Sequence, residues 1–402
     1  MISFKEATQI ILDNVSVLPK VERSIGDVVG YCLAEDVVSG IDVISYRNSA
    51  MDGFAVCAAW LSKCDGSSVV VLPYRDTLFA GDAQVTPFEE GVAVKVMTGA
   101  PVPDGYDAVV RFEDTTYDDK QVTFHQAVGD NAYVRASGED VEAGQKLFTA
   151  GDRLGPLDIG LVASIGLSEV TVYSKPSVLI ATTGNELVPP GDVLPPGAVY
   201  NSNLYTIEAM VSPLSRSVRH LTGVDDSVEQ LQTIMVSDAD VIVTSGGVSA
   251  GERDLVIEAA EAAGFEFLLH KVRIKPGKPV YFARRGNQLL FGLPGNPLST
   301  AVTCAIFVLP AFKKMTGWKD YRLSPMPARL SPDSIRKTGR MLIWPGSFTN
   351  PGGEIIATFS PKRSSAALSA LLGSDGLIFQ SIRDSAEPPT IKVVPWDQIL
   401  SS

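Results

Sequence analysis

The chain has 402 residues, with 34 basic and 46 acidic side chains and a net charge of −12 at pH 7. This acidic balance argues against sequence-independent binding of nucleic acid, because phosphates attract basic surfaces. A hydrophobic content of 45% and a charged content of 20% are ordinary for globular proteins. A chain of this length predicts about two to four domains with several buried cores.

The cysteines, the histidines and the length of the apolar runs argue against several further classes of protein. The four cysteines form no Cys-x-x-Cys pair and the three histidines are scattered, so we expect no zinc or iron site built on them. Any metal would be a hard cation held by carboxylates and phosphate oxygens. We expect no export signal at the N-terminus, and the longest apolar run, residues 301–312, is too short for a membrane span. The sequence therefore predicts a soluble cytoplasmic enzyme or scaffold without a membrane partner.

The first 175 residues predict mainly β-structure after one helix. Apolar residues at helical spacing predict an amphipathic helix over residues 4–15. Between residues 60 and 135 the pattern is all-β, with strands predicted at 69–72, 92–97, 108–112 and 122–124. Taken alone, the polar segment around Asp52 and Gly53 is explained by a strand-end turn.

Residues 176–318 predict an open α/β sheet. Apolar strands at 178–181 and 241–243 each run into a polar loop that contains glycine, and another such loop follows a hairpin at 280–291. Ligands collect at the carboxyl ends of the strands in such sheets. The loops 182–186, 245–254 and 293–297 therefore predict a ligand site at one edge of the sheet.

A cluster of positive charge lies close to these loops in the sequence. Residues 271–285 contain six basic side chains and no acidic one. A solvated face of Lys and Arg would be a sufficient explanation for a charge run alone. However, Pro276-Gly277 lies within the cluster, and Gly246-Gly247 between strand and helix would direct backbone N–H groups at an anion. Together these features predict a phosphate or oxyanion pocket.

The last third of the chain predicts a long helix and a further β domain. The helix, over residues 298–315, contains Pro310 and should kink there. From residue 319 onward the strands predicted at 341–344, 355–359, 377–380 and 391–394 indicate a compact C-terminal β domain, interrupted by a short helix at 365–372.

Seven motifs occur in order along the chain. They are SAMDGFAV at 49–56, MTGA at 97–100, GED at 138–140, TGNEL at 183–187, SGGVSAGERD at 245–254, KPGKP at 275–279 and GLPGNP at 292–297. In this order they resemble the molybdopterin molybdenumtransferases of the bacterial MoeA type, which are related to the E-domain of gephyrin. One such motif would be weak, but seven that span essentially the whole chain are specific.

The resemblance implies a fold of the α/β and β multidomain class. It implies a discontinuous N-terminal domain (1–45 plus 135–175), an inserted β-rich domain (46–134), a three-layer molybdopterin-binding α/β domain (176–318) and a C-terminal β-barrel domain (319–402). It also implies a homodimer, in which the active cleft joins the α/β domain of one subunit to the N-terminal domains of the other.

The resemblance also implies a reaction and its participants. Molybdate is inserted into adenylylated molybdopterin, and Mg²⁺-dependent hydrolysis releases AMP and yields molybdenum cofactor. Mg²⁺ is the implied cofactor, and molybdate and the adenylylated pterin are the substrates. The molybdopterin adenylyltransferase and the enzymes that accept the finished cofactor are further implied partners.

The motif positions carry implied roles for individual residues. The implied catalytic residues are Asp52, Asp140, Glu186, Asp254 and Lys275, and those implied to bind the metal are Asp52, Glu186 and Asp254. The implied substrate-binding residues are Thr98, Gly246, Gly247, Ser249, Lys271, Lys278, Pro294, Gly295, Asn296 and Pro297. Residues 364–365 are also expected to face the cleft. Which acid binds Mg²⁺ and which acts as a base stays open.

Two departures from the family pattern keep alternatives open. Residues 44–48 replace a Pro-x-x-Asp element, and Asn185 stands where many members have Asp. A paralogue that prefers tungstate and a non-catalytic pterin-binding scaffold or carrier are the alternatives. A molybdopterin adenylyltransferase would use the same α/β fold but would match residues 176–318 alone, so the flanking domains argue against it.

Overall fold

A computed structural model describes residues 1–83, 86–224, 228–247, 255–334, 336, 339–382 and 390–401. The chain divides into two compact units. The larger unit consists of Met1–Glu35, Ala150–Pro156 and Glu169–Ser402, and the smaller unit of Asp36–Thr149 and Leu157–Ser168. The boundaries of the four domains expected above differ from those of these two units and stay a prediction.

A six-stranded sheet forms the centre of the larger unit. Its strands, in spatial order, are Ser217–Val224, Ser177–Thr183, Val241–Ser245, Gln288–Leu293, Tyr281–Arg285 and Glu266–His270. The first four are parallel to one another, and the last two are joined by antiparallel pairing. Every residue of the second and third strands is buried, as expected for central strands covered on both faces.

Helices cover both faces of this sheet. Val178 belongs to the core that includes residues of the helix Ser202–Val211. Its neighbour Leu179 belongs to a second core, with residues of the helices Val228–Met235 and Leu255–Ala262. Because successive side chains of a strand point to opposite faces, one apolar strand supplies two cores. The predicted three-layer α/β arrangement is confirmed.

The helix after the last parallel strand has three parts. It runs as α-helix over Pro297–Thr303, π-helix over Cys304–Val308 and α-helix over Leu309–Met315. The π-helical segment ends two residues before Pro310, which has no N–H for an intrahelical hydrogen bond. The apolar run is longer than predicted: by length and composition, this helix of the described chain could cross a membrane, yet 94% of the stretch is buried inside the fold.

The C-terminal part of the larger unit is a curled, mostly antiparallel sheet, in which Arg329–Leu330 and Ile274–Lys275 pair in parallel with their neighbours. Its strands, in spatial order, are Met326–Pro327, Ile391–Pro395, Gly376–Gln380, Met341–Thr349, Ile356–Phe359 and Arg329–Leu330, and Ile274–Lys275 also pairs with Met341–Thr349. The first and last of these are separated in sequence by Ala328 alone, so the sheet curls back into a nearly closed barrel. The predicted barrel-like C-terminal domain is confirmed. A 3₁₀ turn at Leu368–Leu371 stands where a short helix was predicted, and the helix Trp396–Leu400 ends the fold.

The N-terminal segments of the larger unit comprise a helix and a short antiparallel pair. The helix Phe4–Asp13 begins with a capping box, in which the Ser3 hydroxyl accepts from the Glu6 N–H and the Glu6 carboxylate accepts from the Ser3 N–H. The strand Lys20–Ser24 pairs with Glu169–Tyr173. Elsewhere in the unit Leu187–Val188 pairs in parallel with Val199–Tyr200.

The smaller unit is β-rich, as predicted. Its six-stranded sheet has the spatial order Ala108–Arg111, Gly53–Val56, Ala93–Val96, Asp65–Leu78, Gln121–Gln126 and Thr115–Tyr117. Two short pairs, Asn48–Ser49 with Val134–Arg135 and Val37–Val38 with Lys146–Phe148, accompany it. The helix Pro156–Ser164 supplies most of its second segment. The Phe54 ring is fully buried and lies about 5 Å, centroid to centroid, from the rings of Tyr74, Phe112 and Tyr117.

Candidate functional site

Three loops leave the carboxyl ends of adjacent parallel strands and surround a cavity. The loops follow Thr183, Ser245 and Leu293, and the cavity has a volume of about 590 Å³. The described residues that line it are Thr183, Gly184, Glu186, Leu187, Val199, Tyr200, Asn201, Ser202, Asn203, Ser245, Gly246, Gly247, Gly295, Asn296, Pro297 and Ala366. The sequence had predicted that these loops meet at one sheet edge, and they do.

Glycine is required where two of these loops approach each other. Gly246 has φ +97°, and a Cβ atom there would lie 2.6 Å from the Thr183 carbonyl oxygen. The Gly246 N–H donates to the Leu293 carbonyl at 3.2 Å. A Cβ on Gly295 would lie 3.7 Å from the Gly246 Cα, an ordinary van der Waals contact that shows how near the two loops are. Gly246 therefore lets its loop pass directly against the Thr183 backbone, and glycines form part of the cavity lining there.

The helix Ser202–Val211 begins at the cavity and is fixed there by two asparagines. The Asn201 side chain caps the helix by accepting from the Leu204 N–H at 3.2 Å, and it donates to the Thr182 hydroxyl at 2.7 Å. The Asn203 amide donates to the Ser245 hydroxyl at 2.9 Å and to the Gly295 carbonyl at 2.7 Å. Sequence analysis assigned no site role to either asparagine.

One wall of the cavity is apolar and partly exposed. It consists of Leu187, Val199 and Tyr200, from the short parallel pair that follows the first loop. Val199 is 50% exposed and Tyr200 45% exposed, which is high for large hydrophobic side chains beside a cavity. An apolar wall next to polar loops suits a ligand that has both a flat ring and a polar or anionic part.

Many of the predicted substrate-binding residues belong to this cavity. Gly246, Gly247, Gly295, Asn296 and Pro297 line it, together with the predicted catalytic residue Glu186. Pro294 contributes through its carbonyl oxygen, which accepts from the hydroxyls of Ser245 and Thr300. Ser249 and Asp254 lie outside the described residues.

The C-terminal sheet region also reaches the cavity. The Asn296 amide donates to the Ser365 hydroxyl at 3.2 Å, and the Leu298 N–H donates to the Ser365 carbonyl at 3.1 Å. Ala366, the next residue, lines the cavity. Ser365 thus contacts a residue that lines the cavity, and the role expected for residues 364–365 stays a prediction.

The predicted basic cluster is divided between two edges of the sheet. Lys271, Lys275 and Lys278 lie in the loop that joins His270 to Tyr281, and Tyr281 is opposite Gly292 at the carboxyl edge. Arg284 and Arg285 are at the other edge: Arg285 is opposite Gln288, where the parallel strand begins. The prediction of a single basic cluster was wrong, because the hairpin places Arg284 and Arg285 at the opposite sheet edge from the loop that holds the lysines.

The three lysines lie on the cavity's side of the sheet without lining it. Glu186 is the one charged side chain among the described lining residues. Lys275 and Lys278 are exposed, and Lys275 pairs with Leu342 of the C-terminal sheet. Gly277, at φ +91°, packs against the helix after the last parallel strand, since a Cβ atom there would lie 2.2 Å from the Thr303 methyl carbon.

The smaller unit holds the remaining predicted residues. Asp52 and Thr98 are both exposed, and one carboxylate oxygen of Asp52 accepts from the Thr98 N–H and hydroxyl, each at 2.7 Å. The backbone and then the side-chain hydrogen bond from Thr98 lower the pKa of Asp52 below its usual value of 3.8. Asp140 is exposed in the turn after Gly138, whose φ is +74°.

Residues 44–48 and Asn185, which depart from the family pattern, lie in different units of the fold. In the smaller unit the Tyr46 hydroxyl donates to the Gly99 carbonyl at 3.2 Å, and the Arg47 guanidinium donates to the Tyr106 carbonyl at 2.9 Å. Ile44 has φ +61°, an unusual conformation for a β-branched residue. In the larger unit Asn185 is exposed between the lining residues Gly184 and Glu186.

The arrangement of possible metal ligands shows which kind of divalent-metal site the described residues could form. Across the described ranges, no three His, Cys, Asp or Glu side chains are grouped closely enough to form a complete site. Mg²⁺ is usually bound by one or two carboxylates together with substrate phosphates and water. The Glu186 carboxylate at the cavity fits that mode of binding and does not fit an all-protein cage.

Comparisons with known proteins match this chain over nearly its whole length. The family described as "MoeA N-terminal region (domain I and II)" matches residues 2–166, and "Probable molybdopterin binding domain" matches residues 179–314. The molybdopterin molybdenumtransferase of Haemophilus influenzae is 33% identical over 375 residues, which are 91% of each chain. That of Synechococcus elongatus is 33% identical over 388 residues, covering 93% of this chain and 94% of its own.

A solved structure agrees with these sequence relatives. The molybdopterin biosynthesis MoeA protein of Pyrococcus horikosii superposes with a TM-score of 0.81 at 26% identity, covering 98% of this chain and 99% of its own. Fold, motif order and sequence identity point to one family of transferases, and this chain belongs to it: the molybdopterin molybdenumtransferase family of the MoeA type.

Proposed function

We propose that this protein inserts molybdate into the dithiolene of adenylylated molybdopterin and hydrolyses the phosphoanhydride, which releases AMP. The observation that carries the proposal is the cavity at the carboxyl edge of the sheet, built from the glycine loops 184, 246–247 and 295 in a chain of this family. Close backbone approach and the start of the helix Ser202–Val211 favour an anionic ligand.

The shape of the site suits a substrate with a ring and phosphates. The apolar wall of Leu187, Val199 and Tyr200 offers a surface for a ring system, while the glycine loops offer polar backbone groups. Lys271, Lys275 and Lys278 lie in a loop at the same sheet edge. Neighbouring strands are about 5 Å apart, so an extended anion could reach from the cavity to these lysines.

Carboxylates supply the remaining groups that the reaction needs. Glu186 would hold Mg²⁺ together with phosphate oxygens, and the bound ion would neutralise charge on the phosphoanhydride. Asp52 is held ionised by Thr98, so it suits a role as a metal ligand or as a base that orients water. Asp140 and Asp254 complete the set of acids proposed from the family pattern.

The proposal includes the setting of the reaction. We infer a cytoplasmic homodimer in which the second subunit contributes its N-terminal domains to the cleft. Its substrate would come from a molybdopterin adenylyltransferase, and its product would pass to enzymes that accept molybdenum cofactor.

Release of AMP is the measurement that tests the function. Purified protein would be mixed with adenylylated molybdopterin and Mg²⁺, and AMP would be measured as molybdate is titrated in. We expect AMP release that depends on molybdate, that a metal chelator stops and that Glu186→Gln reduces. Glu169→Gln, an exposed acid on the strand Glu169–Tyr173, is the matched control and should match the unmodified protein.

The same assay separates the alternatives left open by residues 44–48 and Asn185. If tungstate supports AMP release better than molybdate, the protein is a paralogue that prefers tungstate. If the pterin binds but is hydrolysed with neither oxyanion, the non-catalytic scaffold or carrier replaces the enzyme as the favoured function.

A further inference from the structure

Asn203 connects two of the glycine loops that line the cavity. Its amide nitrogen donates one hydrogen bond to the Ser245 hydroxyl, at the end of one central strand, and one to the Gly295 carbonyl, beyond the end of the next. The Ser245 hydroxyl in turn is 3.3 Å from the Pro294 carbonyl, to which it donates. One side chain from a helix thus joins the loops of two neighbouring strands.

The hydrogen-bond partners of Asn203 determine which end of its side-chain amide faces the two loops. The Gly295 carbonyl can only accept, so the NH₂ group of Asn203, and not its oxygen, must face the loops. Asn203 is 8% exposed, and its oxygen is buried without a hydrogen-bond partner. A buried oxygen without a hydrogen-bond partner costs free energy. Asn203 keeps this orientation nonetheless, which indicates that its two donated hydrogen bonds matter for the site.

We propose that Asn203 is a positioning residue, which sets the distance between the Gly246-Gly247 loop and the Gly295 loop and thereby the affinity for substrate. This inference rests on the proposed function of the cavity. Asn203 acts through Ser245 and Gly295 and not through the substrate, because its amide protons are engaged by the two loops. Backbone groups held at the wrong spacing bind an anion less well before and during the reaction, so the effect falls on KM.

The test uses Asn203→Asp in the full-length protein. Aspartate has nearly the same shape but cannot donate, and its charge would face the Gly295 carbonyl. We expect KM for the adenylylated pterin to rise about tenfold or more, because both donated hydrogen bonds are lost, while kcat changes far less. We also expect faster hydrogen exchange at the Gly246 amide, which otherwise donates to Leu293.

Two further variants keep the test decisive. Ser245→Ala removes one of the two acceptors and should shift KM and the exchange rate in the same direction by a smaller amount, so it decides the matter if Asn203→Asp does not fold. Thr206→Ala is the control: it lies on the same helix, and its hydroxyl donates to the Ser202 carbonyl. It should leave KM and exchange unchanged.

The outcomes separate this inference from the proposed function. A folded Asn203→Asp variant with unaltered KM and unaltered exchange at Gly246 would overturn the positioning role. If the unmodified protein releases no AMP, the proposed function fails instead, and exchange at Gly246 together with calorimetric titration of AMP itself decides whether Asn203 holds the loops for an anionic ligand.

Discussion

Thr98 donates two hydrogen bonds to the carboxylate of Asp52. The Thr98 N–H and hydroxyl each donate to the same oxygen of Asp52, at 2.7 Å. The two residues are 46 positions apart, in the motifs 49–56 and 97–100. Two motifs that the sequence could only associate by family resemblance are therefore in direct contact, and the second oxygen of Asp52 is left for other partners.

Replacing Thr98 by Val should raise the pKa of Asp52 toward its ordinary value. The substitution removes the hydroxyl donor and keeps the backbone donor, so we expect a partial rise. A ¹³C titration of the Asp52 carboxyl carbon measures it. Thr98→Ser retains the hydroxyl and should behave like the unmodified protein. Identical Asp52 titrations in all three proteins would show that the hydroxyl does not contribute to holding Asp52 ionised.

Gly246→Ala should damage both the fold and the cavity. An alanine at φ +97° is strained, and its Cβ atom would also lie 2.6 Å from the backbone oxygen of Thr183, the last residue of a buried strand. Gly264→Ala is the matched control, because Gly264 has φ +82° with nothing within 4 Å of the added carbon. We expect the control to lose about 1 kcal/mol of unfolding free energy through backbone strain alone.

The collision adds to the strain in Gly246→Ala. We therefore expect a loss of roughly 3 kcal/mol or more, together with weaker binding of AMP. Denaturant unfolding of both variants and calorimetry with AMP measure the two effects. Equal losses of stability in the two variants would mean that the Thr183 loop moves aside at little cost.

The sheet and the place of the site were accessible from the sequence for a physical reason. Buried parallel strands such as Val241–Ser245 are continuous β-branched runs, and the glycine loops follow them directly. The hydrophobic pattern of a strand and the glycine content of a loop are local features of the sequence, so they can be read without knowledge of the tertiary structure. The rule that ligands collect at carboxyl ends then placed the cavity before any contact was known.

The parts that the sequence did not reveal depend on contacts between distant segments. Asn203 lies 42 residues from Ser245 and 92 from Gly295, and no local pattern distinguishes it from an ordinary residue of a helix start. The basic run 271–285 was misjudged for the same reason, since the register of a hairpin decides which edge each charge occupies. The helix 297–315 itself was predicted almost as observed, but only residues 301–312 were taken as its apolar run, whereas Pro297–Met315 is apolar enough over its whole length to cross a membrane.

Neutralising Lys275 should weaken substrate binding without harm to the fold. The Lys275 side chain is exposed, and its strand contributes backbone pairing that Gln preserves. Loss of one charge near an anion is expected to raise the dissociation constant by about tenfold, and added salt should reduce the difference. Calorimetry with the adenylylated pterin measures it. Lys392→Gln, an exposed lysine of the C-terminal sheet, is the control, and an equal affinity in both variants would remove Lys275 from the binding site.

Lys313 should give the protein an unusual dependence of stability on pH. It is 5% exposed, its ammonium group donates to the Gln398 carbonyl at 2.9 Å, and it lies 4.7 Å from the centre of the Trp318 ring. Burial, reinforced by the charge of Arg153, lowers the pKa of Lys313 from 10.5 to about 8. The unfolded chain therefore binds this proton more tightly than the folded chain does.

The sign of the effect follows from that difference. Below about pH 8 the buried charge costs stability in full, roughly 3 kcal/mol, and the cost fades as the pH rises toward 10.5. The free energy of unfolding should therefore increase over this interval in the unmodified protein relative to Lys313→Met, which has no proton to lose. Denaturant unfolding of both proteins across the interval tests this. Parallel pH profiles would show that Lys313 keeps an ordinary pKa in the folded state and that its hydrogen bonds to Gln398 and Ser401 offset its burial.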